Sequence, residues 1–417
     1  MKKIYDSVHR FIHVDRLEKE LINTPAFQRL HYIHQLGMTY FVYPGGTHRR
    51  FEHSLGVLEL ATRIYDTITK NKHEKLRNFM PTFNPYEYRY WRRVLRLSAL
   101  CHDIGHLPFS HMAENRVIGI DGHEAWTQKI LESEMFDPIW EKFHMEALKN
   151  SIDRNVKEDV IKIALGTKKC KKKFSSWERV LTEIITGDFF GADRIDYLLR
   201  DAQCTGLTYG LFDYYQLIEM LQIIFTPDGD LLLGVEENGI ASCEALLLAR
   251  HYMHKRLYQH PSVKALSYHL ARFMKISYPN INGTLHQYLS MTDNEVLVEI
   301  SIASKDQTHP GYFDAKAICF QNDRFLAIPF TTLSEENVLK LKKQLGDQVD
   351  YELCKNPKKK TALPFPVLKQ DGSLDIGDNL SEISVPSEEK SWIYVAPQHE
   401  KEVQNILTFS HVASYIG

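Results

Sequence analysis

The run Cys101-His102-Asp103-Ile104-Gly105-His106-Leu107-Pro108-Phe109-Ser110-His111 decides how this sequence reads. Upstream of it, the segment from Arg92 is apolar at Val94, Leu97, Ser98 and Cys101, the three-and-four spacing of one helix face. That helix delivers a His-Asp pair at its last turn, and Gly105 is the residue predicted to stop it. A polar pair at the end of an apolar helix costs stability unless something satisfies it. A divalent cation satisfies both groups at once. A lone His-Asp dipeptide proves little, since 20 His and about half of the 53 acidic residues in 417 produce about one by chance. His106 and His111 change that reading. They follow close behind, with Gly105 and Pro108 turning the chain back, and such clustering is hard to explain as satisfied core histidines.

Three other segments carry residues of the same kind. In His48–Gly56 (HRRFEHSLG), His53 sits beside an apolar stripe of Phe51, Leu55, Leu58, Thr62 and Tyr65, just after Arg50. Gly122-His123-Glu124 adds an imidazole and a carboxylate. Asp193–Asp201 (DRIDYLLRD) places Asp193, Tyr197 and Asp201 at i, i+4 and i+8, so all three share one helix face. A metal held by imidazoles and carboxylates, with no thiolate, suits Mn, Fe, Zn, Ni or Mg. Such an ion polarises a phosphoryl oxygen and activates water near neutral pH. Phosphoryl transfer also needs cations on the equatorial oxygens and an acid for the leaving oxygen. Arg50, Arg194, His106, His111 and His123 are the candidates for both.

The balance of 51 basic and 53 acidic residues gives a net charge of −2, with 43% hydrophobic and 25% charged residues. These are ordinary values for a folded protein, and they exclude a disordered tail, a collagen-like fibre and a polybasic coat. Length alone suggests about two to three domains. Two lysine clusters, Lys168, Lys169, Lys171, Lys172, Lys173 and then Lys355, Lys358, Lys359, Lys360, read as solvated loops or as local polyanion sites. Against the neutral whole, nucleic-acid binding is not expected. The start MKKIYDSVHRFIHVD has no apolar core of a secretory signal, and no run reaches the ~18 apolar residues of a membrane span. The six cysteines are scattered without a C-x-x-C pair. A cytoplasmic protein without membrane association is the expectation.

Residues 1–285 read as mostly helical, with the pattern continuing over Leu211–Phe225 into a hairpin turn at Thr226–Asp230 and a helix over Ile240–Leu257. The character changes near Asn282-Gly283. Strands are predicted at Val296–Ile300, Phe325–Phe330 and Trp392–Ala396, with a helix from Ser334 as N-cap through Leu345 and another over Glu400–Val412. Residues 355–390, rich in Pro, Gly, Ser and Lys, are predicted to be a long loop. The expected fold is mainly α: a helical core with a short β-hairpin over 1–285, then a small α+β region over 286–417.

At its histidine and aspartate segments the sequence resembles the HD-domain phosphohydrolases. More specifically, it resembles the SAM/HD-type deoxynucleoside triphosphate triphosphohydrolases, in a bacterial-type form without a SAM domain. The matching stretches are Thr24–Gly37 (TPAFQRLHYIHQLG), His48–Val57 (HRRFEHSLGV), Cys101–His111, Gly122–Glu124, Asp193–Asp201 and Leu257–His260 (LYQH), in the family's order. The resemblance implies an HD-type helical core and metal-dependent hydrolysis of a deoxynucleoside triphosphate to deoxynucleoside and tripolyphosphate. It implies His53, His102, Asp103 and Asp193 as metal ligands. It implies His123 as general acid–base, oriented by Glu124, with Glu114 as a further family carboxylate and His106 and His111 alongside. Gln35 and Leu36 would lie under the sugar and base. Arg50, His106, His111, Arg194, Tyr197 and Asp201 would meet the triphosphate or sugar, and Arg250, Tyr258 and His260 the far pocket wall. Read from the residues alone, Tyr258 fits a core position, Arg250 a helix surface, and Asp201 a partner for Arg200 or a turn cap. A homo-dimer or homo-tetramer is also implied. Family members activated by a guanine nucleotide carry a different pattern at Tyr5, Asn23 and His31, which leaves such activation open here. The alternatives are an HD phosphohydrolase for another nucleotide or phosphate ester, and a nucleotide-responsive binding protein with a weakly active site.

Overall fold

The computed structural model describes residues 2–407 except 71, 81–82, 119–121, 331–334, 355–362 and 387–389. Its centre is a group of helices, the first two of which showed their apolar faces in the sequence. Helix α1 (Arg50–Thr69) and helix α2 (Pro85–Cys101) lie against each other. Asn84 starts α2 by accepting from the Tyr86 and Glu87 amides, with Pro85 at the first helical position. Helices α3 (Gly122–Glu132), α4 (Val156–Lys169), α5 (Ser176–Thr186) and α6 (Ala192–Thr205) complete the group. A Ser175–Glu178 capping box opens α5, and Gly206 ends α6 in the left-handed conformation at φ 78°. Leu58, Val94, Leu97, Ile163, Ile184, Ile195 and Leu198 are fully buried in one shared core. Burying each such side chain is worth about 1.5–3 kcal/mol.

Among the described residues, three small sheets lie around this core. Strands β1 (Lys2–Asp6) and β2 (Arg10–Val14) form an N-terminal hairpin that the helical reading of residues 1–285 did not anticipate. The hairpin expected around Thr226–Asp230 is present as β3 (Leu221–Phe225) and β4 (Leu231–Glu236). The helical pattern predicted through Phe225 ends at Met220, because the buried run Leu221–Ile224 pairs with β4 instead.

Two predictions for the C-terminal third are corrected. Val296–Ile300 is helical, inside α8 (Asp293–Ala303), which follows α7 (Pro261–Ser277). Its sequence alternates like a strand, but Val296, Ile300 and Ala303 bury one helical face, and a Thr292–Glu295 capping box starts the helix. The stretch 355–390 is not one long loop. It holds β7 (Pro366–Leu368), parallel to β4, and β8 (Leu374–Ile376), antiparallel to β7, followed by the short helix Gly377–Leu380. Strands of 3 residues leave almost no local signal, and their partner strand β4 is remote in sequence. Lys355, Lys358, Lys359 and Lys360 lie outside the described residues.

The strands expected near Phe325–Phe330 and Trp392–Ala396 are found as β5 (Leu326–Phe330) and β9 (Ser391–Val395). With β6 (Val349–Glu352) they form a sheet in the order β5-β9-β6, antiparallel throughout. The predicted helix to Leu345 is present, its proposed cap Ser334 lying outside the described residues, as do positions 408–412 of the last helix, which is helical over 400–407. Leu107, Trp126 and Phe273 share a core with Val296, Ile300 and Ile318, so packing runs across the boundary expected at 285. Among the described residues no helix is long and apolar enough to cross a membrane.

Candidate active site

Four ligand-type side chains meet where α1, α2 and α6 converge. His53 comes from α1, His102 caps the end of α2, Asp103 follows it, and Asp193 lies in the first turn of α6. Their ligand atoms all lie within 4.8 Å of one another. His53 Nε2 is 3.0 Å from Asp193 Oδ1 and 3.5 Å from Asp103 Oδ2. His102 Nε2 is 3.4 Å from that Asp103 oxygen and 3.6 Å from that Asp193 oxygen. The opposite ring nitrogens are tied down: His53 Nδ1 to Asp196 Oδ2 at 2.8 Å and His102 Nδ1 to the Ala99 carbonyl at 2.8 Å. Both Nε2 atoms are left buried without a hydrogen-bond partner, a costly state that a cation would relieve. Burial opposes a charge on His53, but Asp103, Asp193 and Asp196 outweigh it and raise its pKa well above the ordinary value. The same burial works on Asp193, where the adjacent His102 and His53 imidazoles prevail and hold it below the carboxylate range. A divalent ion would supply the positive charge that this carboxylate-rich centre calls for. The donor set of two imidazoles and two carboxylates fits such an ion.

Behind the ligands lies a buried ion-pair network that sequence reasoning missed. Asp196 Oδ1 meets His9 Nε2 at 2.6 Å, and Arg200 donates to both Asp196 oxygens at 2.9 and 3.0 Å. Arg200 also donates to Asp6, so it does not pair with Asp201. Asp196 is fully buried, and a Cβ at position 56 would lie 1.9 Å from its Oδ1, which explains a glycine in the middle of α1. The spacing Asp196–Arg200 is an i, i+4 pair, the one local signal available.

A second group faces the first across Asp103. Glu114 Oε1 accepts from the His123 amide at 2.6 Å and from His123 Nδ1 at 2.7 Å, while its Oε2 accepts from His111 Nδ1 at 2.7 Å. His123 Nε2 is 3.7 Å from Asp103 Oδ1, and His106, fully buried, stacks on the His123 ring at 3.7 Å between centroids. Burial disfavours a charged His123, but Glu114 and Asp103 prevail and raise its pKa. His106 is driven the other way, by burial first and then by Arg50. Glu124, expected to orient His123, stands 3.7 Å from its Nδ1 and pairs with Lys169 at 3.2 Å. Arg50 donates to Asp103 and, through Nε, to Ser110 Oγ at 2.8 Å. Gly105 is not the helix stop, since α2 ends at Cys101; a Cβ there would lie 2.2 Å from the His123 carbonyl, so glycine lets α3 approach.

Both groups open into a cavity of about 1300 Å³. Gln35, Leu36, Arg50, His111, Tyr197, Asp201 and Tyr258, all of them residues the resemblance implies for substrate contact, line it together with His254, which the sequence reading did not single out. Asp201 is held by His48 Nε2 at 2.7 Å and by the Tyr258 hydroxyl at 2.6 Å. Tyr258 therefore lines the cavity while also packing against the main core. Arg194, Arg250 and His260 are not among the lining residues. Arg194 lies beside Tyr197 with Nε and Nη1 buried and unpartnered, and Arg250 and Arg194 add to the burial that pushes His254 down to about 3. His260 caps α7 by accepting from the Ser262 amide. Lys168 and Lys169 reach the rim, but Lys168 pairs with Asp188 at 2.7 Å and Lys172 with Glu158 at 2.9 Å. Of the departing positions, His31 stacks on Phe51 at 3.5 Å, Asn23 caps a helix and Tyr5 is exposed on β1.

Residues 50–197 match the HD domain, and residues 212–311 match the HD associated region. An uncharacterized protein of Methanocaldococcus jannaschii is 30% identical over 430 residues, covering 97% of this chain and 81% of its own. The deoxynucleoside triphosphate triphosphohydrolase SAMHD1 of Gallus gallus is 32% identical over 276 residues, 62% of this chain and 43% of the relative. The chain thus spans less than half the length of that relative. A crystal structure of a hypothetical protein from Aquifex aeolicus superimposes with a TM-score of 0.71 at 28% identity, covering 97% of this chain and 99% of that one.

Proposed function

This chain belongs to the HD-domain phosphohydrolases, and from that premise we propose that it hydrolyses deoxynucleoside triphosphates to deoxynucleoside and tripolyphosphate. The observation that carries this reading is the facing of two groups across Asp103: a cation-type centre on one side and the Glu114–His123 pair on the other. A divalent ion, of the Mn, Fe, Ni, Zn or Mg type, would be held by His53, His102, Asp103 and Asp193. When bound it polarises a phosphoryl oxygen and makes water a stronger nucleophile.

The chain's own residues supply the rest. Arg50, anchored by Ser110, offers its guanidinium to the phosphate oxygens. His111 and Tyr197, which line the cavity, bind the remaining phosphates. Water adds to the α-phosphorus, the bond from phosphorus to the 5′ oxygen breaks, and the proton that water loses passes to solvent, from which His123 is reprotonated after turnover. His123, whose charged form Glu114 favours, gives its proton to that leaving oxygen. Neutral His106 stacks behind His123 and fixes its plane. Asp201, held by His48 and Tyr258, and Gln35 with Leu36 border the sugar and base. The resemblance to SAMHD1 supports this substrate class. The test is to incubate the protein with Mn²⁺ and each dNTP and to separate the products by ion exchange. Tripolyphosphate with free deoxynucleoside is expected; orthophosphate or pyrophosphate in its place would overturn the reaction type.

A further inference from the structure

Two consecutive non-glycine residues beside the site, Phe109 and Ser110, adopt left-handed backbone conformations at φ 58° and 57°. Each such residue costs about 1–2 kcal/mol, so the turn persists only if the surroundings enforce it. One carboxylate does most of that enforcing. Asp293, the first residue of α8, is fully buried, and its Oδ1 accepts from the Phe109 amide at 2.7 Å. Its Oδ2 accepts from the His34 amide at 2.8 Å and from His34 Nδ1 at 2.6 Å. An acidic residue in a first helical turn often serves only its own helix. Here the hydrogen bonds run outward, to two segments far away in sequence.

The strained turn does something specific. Ser110 Oγ donates to the His34 carbonyl at 2.7 Å and accepts from Arg50 Nε at 2.8 Å. Arg50 in turn donates to Asp103. The chain of contacts runs Asp293, Phe109, Ser110, Arg50, Asp103, and His34 closes it into a loop.

We propose that Asp293 is a positioning residue: it pins the left-handed Phe109–Ser110 turn to His34, so that Ser110 holds the Arg50 guanidinium toward the phosphate. The inference rests on the reading that Arg50 meets a substrate phosphate. It does not require that substrate to be a dNTP.

The test measures turnover of bis(p-nitrophenyl) phosphate, a diester that is not a dNTP, so failure of the dNTP assignment and failure of this proposal are separable. Asp293→Ala, Asp293→Asn, Ser110→Ala and the Asp293→Ala/Ser110→Ala double variant are compared with the wild type at saturating Mn²⁺. Metal content, KM and kcat are recorded for each. Losing one charge-assisted hydrogen bond corresponds to a fall in kcat/KM of about 10- to 100-fold. That fall is expected for each alanine variant, chiefly through KM, with metal content unchanged. The double variant is expected to fall no further than the worse single, because Ser110 is already displaced when Asp293 is gone. Asp293→Asn keeps the volume and one acceptor oxygen and is expected to lie between, which decides the matter if Asp293→Ala does not fold. Wild-type kcat/KM in the asparagine and alanine variants, or losses that multiply in the double variant, would overturn the proposal.

Discussion

Glu114 holds His123 from two directions, its Oε1 accepting both the backbone amide at 2.6 Å and the ring Nδ1 at 2.7 Å. Glu124, adjacent in sequence, comes no nearer to that nitrogen than 3.7 Å. The carboxylate that sets the tautomer and charge of the proposed acid is therefore the one from the preceding helical turn.

Glu114→Gln is predicted to lower kcat by about 100- to 10,000-fold, the range for losing a positioned acid–base group. Glu124→Gln breaks a partly exposed pair with Lys169 and is predicted to change kcat by less than about threefold. Steady-state kinetics on the two variants checks this; equal losses would place the orienting role on both.

Asp196→Ala is predicted to weaken divalent metal binding by about 10- to 100-fold, since Asp196 fixes the ring of His53 without being a ligand. It also leaves Arg200 and His9 buried with lost partners, costing about 3–5 kcal/mol. Metal titration and urea unfolding measure the two effects separately.

His48 carries a pH prediction. Burial opposes its charge, but the hydrogen bond to Asp201 and the neighbouring Cys204 prevail and raise its pKa to about 9. Its ordinary value when unfolded is about 6.5. The folded form thus binds this proton more tightly, so the contribution is fully present below pH 6.5 and is lost as pH rises through 9. Unfolding free energy is predicted to decline across that window, and less so in His48→Gln. A His48 ring titrating near 9 by NMR confirms the cause; a midpoint at or below 6.5 contradicts it.

Gly105→Ala places a Cβ 2.2 Å from the His123 carbonyl and 2.3 Å from the Thr127 amide. Neither backbone atom can swing aside. The variant is predicted to lose about 1–3 kcal/mol of stability. Because α3 carries His123, kcat is also predicted to fall although Gly105 touches no substrate. Thermal unfolding together with kinetics tests both.

What the sequence revealed follows from what is local. Helix faces repeat within a few residues, so Leu58, Val94 and Leu97 could be placed in the core from spacing alone. His53, His102, Asp103 and Asp193 stood in long recognisable motifs, and the structure brings them within 4.8 Å. Asp196 was hidden, although it sits inside one of those motifs, because its partners His9 and Asp6 arrive from the β1–β2 hairpin. The choice between Glu114 and Glu124 turned on backbone geometry around Gly122, in the left-handed region at φ 65°, which no spacing rule encodes. Strands β7 and β8 depend on pairing with a remote strand, so their Pro- and Lys-rich surroundings read as a loop. At Val296–Ile300 the alternation favoured a strand, and the Thr292–Glu295 capping box was the overlooked signal.

In the reaction we propose, water attacks the α-phosphorus at a centre built on His53, His102, Asp103 and Asp193, expelling the 5′ oxygen. Hydrolysis of a dNTP in ¹⁸O-labelled water tests it most directly, with mass spectrometry of both products and His102→Ala as control. One ¹⁸O in the tripolyphosphate, none in the deoxynucleoside, and no turnover by the variant is the predicted result. Label in orthophosphate or pyrophosphate, or in the 5′-hydroxyl, would contradict it.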